Sequence, residues 1–228
     1  MQKAVSYSGI PRFVQRYVRH FEAAGDEAVR RLAEDLGPRA QVLEASAGGE
    51  RHAGWFSGHG YVGVEAGCGE AEWKGGRPEV IAGLTSLPFR GECFDACLSV
   101  GTLEHAPEPG GALREMARAL RPRGRLLLIA PQEWEVHQAP QDYFRFTRYG
   151  LRYLLEQAGF TEIRVLSVGG FFRLLARRLL NALRFFPGLW SVPAAVVLAP
   201  PALLLPAFDW LDRDRNFTLG YICTARKR

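Results

Sequence analysis

VLEASAGGE at residues 42–50 and YVGVE at 61–65 decide the reading of this chain. The first is an apolar strand running into a turn of small residues, and the second is a strand that closes on an acid. Strand, turn, helix and second strand in that order form a unit that cradles an adenosine-bearing ligand. Backbone N–H groups at the helix start face the ligand, and the carboxylate ending the second strand, here Glu65, accepts both ribose hydroxyls. A glycine-bearing turn also serves tight strand-helix packing with no ligand at all, so the unit is weighed together with the residues downstream of it.

Downstream lie LPFRGECFDACLSVGTLEH at 87–105 and LRPRGRLLLIAP at 120–131. They read as a strand at 94–100, a loop carrying Leu-Glu-His, a helix over about 110–120 and a strand at 125–130. These pieces resemble the class I S-adenosylmethionine-dependent methyltransferases, above all the group that methylates quinones and other small molecules at carbon or oxygen. The resemblance covers about residues 40–168 and returns near 218–226. It implies an α/β fold: a Rossmann-like, seven-stranded, mostly parallel sheet with helices on both faces and an antiparallel last strand. It also implies S-adenosyl-L-methionine as cofactor.

The resemblance carries over to Glu44, Ser46, Gly48, Gly49, Glu65, Ala66, Gly83, Leu84, Ser99, Val100 and Gly101 as the cofactor-facing set. Two departures stand out. The family's first turn usually reads acid-x-Gly-x-Gly-x-Gly, and the matching positions here are Glu44, Ser46, Gly48 and Glu50, so two of three glycines are missing and Gly49 is left to take over part of the turn. After the third strand the family commonly places an acid or amide where Gly83 stands, to bond the adenine amino group. Losing one such bond costs about 0.5 to 1.5 kcal/mol, which leaves Leu84 and backbone groups to hold the ring.

Open α/β sheets bind ligands beyond the carboxyl ends of their strands. The loop after the fourth strand brings Glu104 and His105, and the loop after the fifth, PQEWEVHQAPQDYFRFT at 131–147, brings Trp134, Tyr143 and Phe144 as acceptor contacts. His137 is the general-base candidate, since imidazole titrates near neutral pH, and His105 is a second catalytic candidate. Two structural readings stay open beside these: His137 and Asp142 bracing a lid loop, and His105 ordering its own loop. His20, His52 and His59 read as surface or turn residues.

Composition narrows the partners. The net charge of +5 comes from 29 basic against 24 acidic residues, with arginines gathered at Arg12, Arg16 and Arg19 and again over 171–184. There is neither an aromatic-interleaved basic ribbon nor zinc-finger spacing, so nucleic-acid binding is not expected. Cys68, Cys93, Cys97 and Cys223 form no C-x-x-C pair, and no metal centre is expected from them. Without an apolar secretory segment behind Met1, a reducing cytoplasmic setting is the default, peripheral on the inner face of the membrane if residues 171–210 touch lipid.

The periodicity divides the chain into three parts: N-terminal helices over 1–40, a methyltransferase-like core over 41–170 and 218–228, and an insert over 171–217 where a hairpin-length connection would suffice. The N-terminal part reads as one helix over 10–24, with Phe13, Tyr17 and Phe21 four apart, and a second over 26–36 stopped by Gly37-Pro38. FFRLLARRLLNALR at 171–184 is amphipathic, with Arg173, Arg177 and Arg184 opposite Phe172, Leu175, Leu179 and Leu183. The next 24 residues, 185–208, carry no charge and five prolines. The Pro200-Pro201 pair is expected to split them into two arms rather than one span. Either the insert lies on an anionic membrane surface through 171–210, its arginines facing the lipid headgroups, or it is a packed cap.

Two function classes compete on this reading. One is methyl transfer to a small-molecule or lipid-like acceptor at a membrane surface. The other is a catalytically degenerate scaffold that keeps the fold and binds membrane or a partner. A nicotinamide-dependent oxidoreductase fits worse, because the turn lacks Gly-x-Gly-x-x-Gly. The acceptor and the oligomeric state are not legible in the sequence.

Overall fold

A computed structural model describes residue 17 and residues 19–45, 52–65 and 80–228. Its centre is a seven-stranded sheet in the order β3-β2-β1-β4-β5-β7-β6. The strands are β1 (Gln41–Ala45), β2 (Gly60–Glu65), β3 (Val80–Ile81), β4 (Phe94–Val100), β5 (Leu120–Pro131), β6 (Phe160–Val168) and β7 (Gly220–Lys227). β1 pairs in parallel with β2 and β4, β2 with β3, and β4 with β5, whereas β7 runs antiparallel to β5. This is the Rossmann-like sheet with an antiparallel last strand that the resemblance implies.

Strand alternation sorts the two faces. On β5, Leu126, Leu128 and Ala130 join a core cluster with Leu43, Cys97, Tyr221 and Cys223, closed by helices α2 (Pro109–Ala119) and α3 (Arg148–Gln157). Leu127 and Ile129 point the other way, toward α1 (His20–Asp35). β5 starts five residues earlier than the periodicity indicates. Leu120 pairs with Phe94, and a register shift takes up the next residues before Arg125 pairs with Ala96. Pro109 opens α2 at its first turn, where its missing N–H does no harm. Thr147 caps α3 by accepting from the Gly150 N–H, and Gly159, at φ +89°, stops the chain beyond it. Burial pushes the Cys223 thiol up to about 12 and that of Cys97 higher still, so both behave as small apolar side chains.

Two expectations are corrected. α1 is one continuous helix where a boundary near residue 25 was expected. A Cβ on Gly25 would lie 3.1 Å from Ile129 Cδ1, so this glycine serves close helix-sheet approach and not helix termination. Residues 10–16, including Phe13, lie outside the described residues. In the insert, α4 (Phe171–Ala182) is followed by short turns and by α5 (Ser191–Leu204), which runs through Pro200 and Pro201 without a break. Each of these prolines lacks the N–H a helix interior would use, and its ring crowds the carbonyl four residues back, a cost of about 3 kcal/mol. Packing between α4 and α5, with Ala176 and Ala202 both buried, holds the run together.

The chain divides into two compact units. One holds the described residues up to Ala24 together with Val168–Leu219; the other holds Gly25–Ser167 and Gly220–Arg228, which include the carboxyl ends of the parallel strands. Within the first, Arg173 Nε lies 3.4 Å from Asp209 Oδ2 and its guanidinium sits over the Tyr17 ring, while Arg177 Nη1 lies 4.0 Å from Glu22 Oε1. Asp209 also accepts from Arg215 at 2.7 Å and from the Arg173 N–H at 3.2 Å. The expectation that Arg173 and Arg177 face lipid headgroups is therefore corrected. These charges turn inward to acids that the helical period cannot reveal, and Leu175 and Phe171 are exposed in their place.

Candidate functional site

The carboxyl edge of the parallel strands carries two groups of residues. At the first, Glu65 ends β2 with its side chain buried, and its carbonyl accepts from the Ala82 N–H at 3.0 Å, which ties the β2 end to the residues after β3. Gly83 stands directly beyond, and a Cβ built there meets nothing within 4 Å. Across the edge, Gly101 leaves β4 at φ +62°, a conformation glycine adopts without strain, and its N–H donates to the Ile129 carbonyl at 2.9 Å. Ser99 is fully buried, and its hydroxyl has no hydrogen-bond partner among the described residues. A buried carboxylate, open space beside it and an orphaned hydroxyl fit an adenosine group at this edge.

Other members of the sequence-derived set fall elsewhere. Ser46, Gly48, Gly49 and Ala66 lie outside the described residues. Glu44 is buried with both carboxylate oxygens engaged. One accepts from His52 Nδ1 at 2.7 Å and the other from the Tyr61 hydroxyl, so Glu44 braces β1 against β2 from within. His52, read as a surface or turn residue, is therefore a buried brace, 2% exposed. Leu84 packs into the core cluster, while Val100 is half-buried at the β4 end.

The second group is built by the loops after β4 and β5. These strands are parallel neighbours, Val100 facing Ile129, so their loops emerge side by side. A short turn at Leu103–His105 buries Glu104 and His105, 2% and 1% exposed. His137 arrives from the other loop with its Nε2 3.1 Å from His105 Nε2, the two rings meeting edge to face. Glu104 Oε1 lies 4.0 Å from each of these nitrogens. Burial pushes the Glu104 carboxyl up to about 7, and its Oε2 has no hydrogen-bond partner among the described residues.

Arg145 holds this loop. Its guanidinium grips Asp142 with two bonds, of 2.6 and 2.8 Å, and donates to the carbonyls of Trp134 at 3.1 Å and Glu135 at 2.8 Å. The fork holds the Asp142 acid down at about 2, and Asp142 in turn accepts from the His137 N–H at 2.9 Å. The Glu104 carbonyl fastens the far end by accepting from the Tyr143 and Phe144 N–H groups. Tyr143 and Phe144 stand 49% and 37% exposed beside it, and Trp134 is half-buried. Reading by sequence brought His105 and His137 forward but missed Arg145. Its signal was the i,i+3 spacing to Asp142, which on a loop implies nothing by itself.

Residues 43–128 match a family described as a methyltransferase domain. A tRNA U34 carboxymethyltransferase of Aliarcobacter butzleri is 33% identical over 98 residues, 38% of this chain and 32% of that one. An uncharacterized methyltransferase of a Mycobacterium species (strain JLS) is 40% identical over 94 residues, 38% of this chain and 37% of that one. The chain thus matches about a third of the length of these curated relatives. Among solved structures, phosphoethanolamine N-methyltransferase 2 of Haemonchus contortus, in complex with phosphomonomethylethanolamine and S-adenosylhomocysteine, superposes with a TM-score of 0.53 at 15% identity, over 90% of this chain and 52% of that one. Residues 43–128 are thus similar to a methyltransferase domain, and the sheet order is that of the Rossmann-like methyltransferase fold.

Proposed function

We propose that this protein transfers a methyl group from S-adenosylmethionine to a small-molecule acceptor that gives up a proton. The observation that carries the reading is the buried Glu65 carboxylate beside the open space at Gly83. The sulfonium supplies an activated methyl, so the protein has only to position the acceptor in line and keep the site dry. Glu65 bonds the ribose, the residues from Ser99 to Gly101 line the cofactor, and Trp134, Tyr143 and Phe144 contact the acceptor. The Glu104, His105 and His137 group stands where an acceptor proton would leave. Calorimetry with adenosylhomocysteine tests the reading: Glu65→Ala should weaken binding by roughly 1.5 to 3 kcal/mol, as loss of a carboxylate bonded to two hydroxyls does. A parent with no measurable affinity would replace it by the scaffold reading, which the two missing turn glycines favour.

The same chain binds lipid, on this reading, through the helical run Gly188–Leu211. That run is 24 residues long, and only 11% of its most apolar stretch is buried within the protein. Leu189, Val192 and Val196 are 95%, 67% and 69% exposed, and tryptophans 190 and 210 stand at its two ends, where indole rings favour the bilayer interface. Because Arg173 and Arg177 are internally paired, the attraction is apolar. Flotation with phosphatidylcholine vesicles should therefore succeed and resist salt, and a chain that stays with the soluble fraction on both neutral and anionic vesicles would remove the lipid-like acceptor from consideration.

A further inference from the structure

We propose that Glu104, His105 and His137 form a binding site for one divalent transition ion, with zinc the best chemical match. Among the described residues this is the one place where three such ligating side chains come within 4.8 Å of one another. Two nitrogens and one carboxylate oxygen on three side chains make a site that leaves a position open, as sites that act on a substrate do.

The hydrogen bonds around the two imidazoles carry the inference. His105 Nδ1 faces the Gln141 carbonyl, and His137 Nδ1 lies 3.1 Å from the Glu135 carbonyl. A carbonyl only accepts, so His105 Nδ1 carries the proton; His137 Nδ1 has the Glu135 carbonyl at 3.1 Å and the donor Arg145 Nη2 at 3.5 Å, and where the shorter contact prevails both neutral imidazoles present Nε2 lone pairs. Those lone pairs meet at 3.1 Å. Left to themselves they repel; a cation between them turns the repulsion into coordination. Backbone carbonyls that fix the distal N–H are the usual outer support of metal-bound histidine.

Spacing agrees with the chemistry. Ligands at about 2.0 to 2.1 Å from a tetrahedral zinc lie about 3.3 Å apart, close to the observed nitrogen pair. Glu104 Oε1, at 4.0 Å from both nitrogens, needs only a small side-chain rotation to close the third edge. Its other oxygen is buried, with no hydrogen-bond partner among the described residues. The Arg145 fork already holds the His137 loop in place, so little ordering remains to be done on binding.

The role of the ion, though not its binding, rests on the methyl-transfer reading. The open position would take an acceptor oxygen and lower its pKa. The O–H proton then leaves to solvent, and the oxygen lone pair forms the new O–CH3 bond. The S–CH3 bond breaks with its electron pair on sulfur, releasing adenosylhomocysteine.

Calorimetry of the full-length, tag-free chain with zinc chloride, and the visible spectrum of its cobalt(II) form, test the site. One equivalent should bind, and the cobalt spectrum should show d–d bands of a low-coordinate nitrogen and oxygen site. His137→Gln and Glu104→Gln should each weaken zinc by at least about tenfold while adenosylhomocysteine affinity stays at the parent value, which also shows that each variant is folded. His137 is the more exposed ligand, so its replacement disturbs packing least. No stoichiometric zinc in the parent, equal affinity in both variants, or a thiolate charge-transfer band placing cobalt at a cysteine would each overturn the site. Loss of adenosylhomocysteine binding with zinc retained would overturn the methyl-transfer reading alone.

Discussion

Replacing Arg145 by alanine is the sharpest test of how the acceptor side is held. The guanidinium is about one quarter exposed, while the Asp142 side chain it grips is 3% exposed. Truncation leaves that carboxylate with the His137 N–H alone among the donors described, and deprives the Trp134 and Glu135 carbonyls of the same donor. Removing one partner of a fully buried pair costs about 3 to 5 kcal/mol; because water reaches part of this guanidinium, about 2 to 4 kcal/mol is expected here. Urea unfolding at neutral pH reads it directly. Arg145→Lys should recover less than half, since an ammonium cannot make the two-pronged contact. Combining Arg145→Ala with Asp142→Asn should cost clearly less than the two single losses added, with a coupling of at least about 1 kcal/mol. A loss below about 1 kcal/mol, or strict additivity, would refute the idea that this fork holds the loop.

Two further outcomes concern the sheet edge and the helix behind it. Gly83→Asp places an acceptor where a Cβ meets nothing within 4 Å, so adenosylhomocysteine should bind up to about tenfold tighter by calorimetry, and weaker binding would show that the pocket is organised around the glycine. Glu115 accepts from Arg118 and from the Leu87 N–H at 2.9 Å, and Arg118 donates to the Leu87 and Phe89 carbonyls, which staples the Leu-Pro-Phe segment to α2. Arg118 holds the Glu115 carboxyl below its usual 4.5, so the stability it contributes is fully present above that value and lost as pH falls through the folded pKa. Glu115→Gln should thus be less stable than the parent at pH 7 and converge with it at acid pH; a gap that persists at about pH 2 to 3 would assign the loss to shape instead of charge.

The strand alternation at 94–100 and the acid closing 61–65 were legible in the sequence because local periodicity sets them, and the family resemblance implied the antiparallel return near 218. The same reasoning failed at Gly25 and at Pro200-Pro201, where packing against Ile129 and between α4 and α5 outweighs the local preference for a break. It also failed for the insert's arginines: a helical period defines a polar face but not what that face meets, and Asp209 and Glu22 supply the partners from elsewhere in the chain. His105 and His137, 32 residues apart, each drew notice alone as a titrating side chain. Only the adjacency of the parallel strands β4 and β5, which brings their two carboxyl-end loops together, sets the two Nε2 atoms against each other with Glu104 beside them. Sequence alone determines where most strands lie and the chemical types at their ends, since these depend on neighbours along the chain; helix continuity at Gly25 and Pro200-Pro201, and which side chains share a site, depend on packing, and tertiary structure decides them.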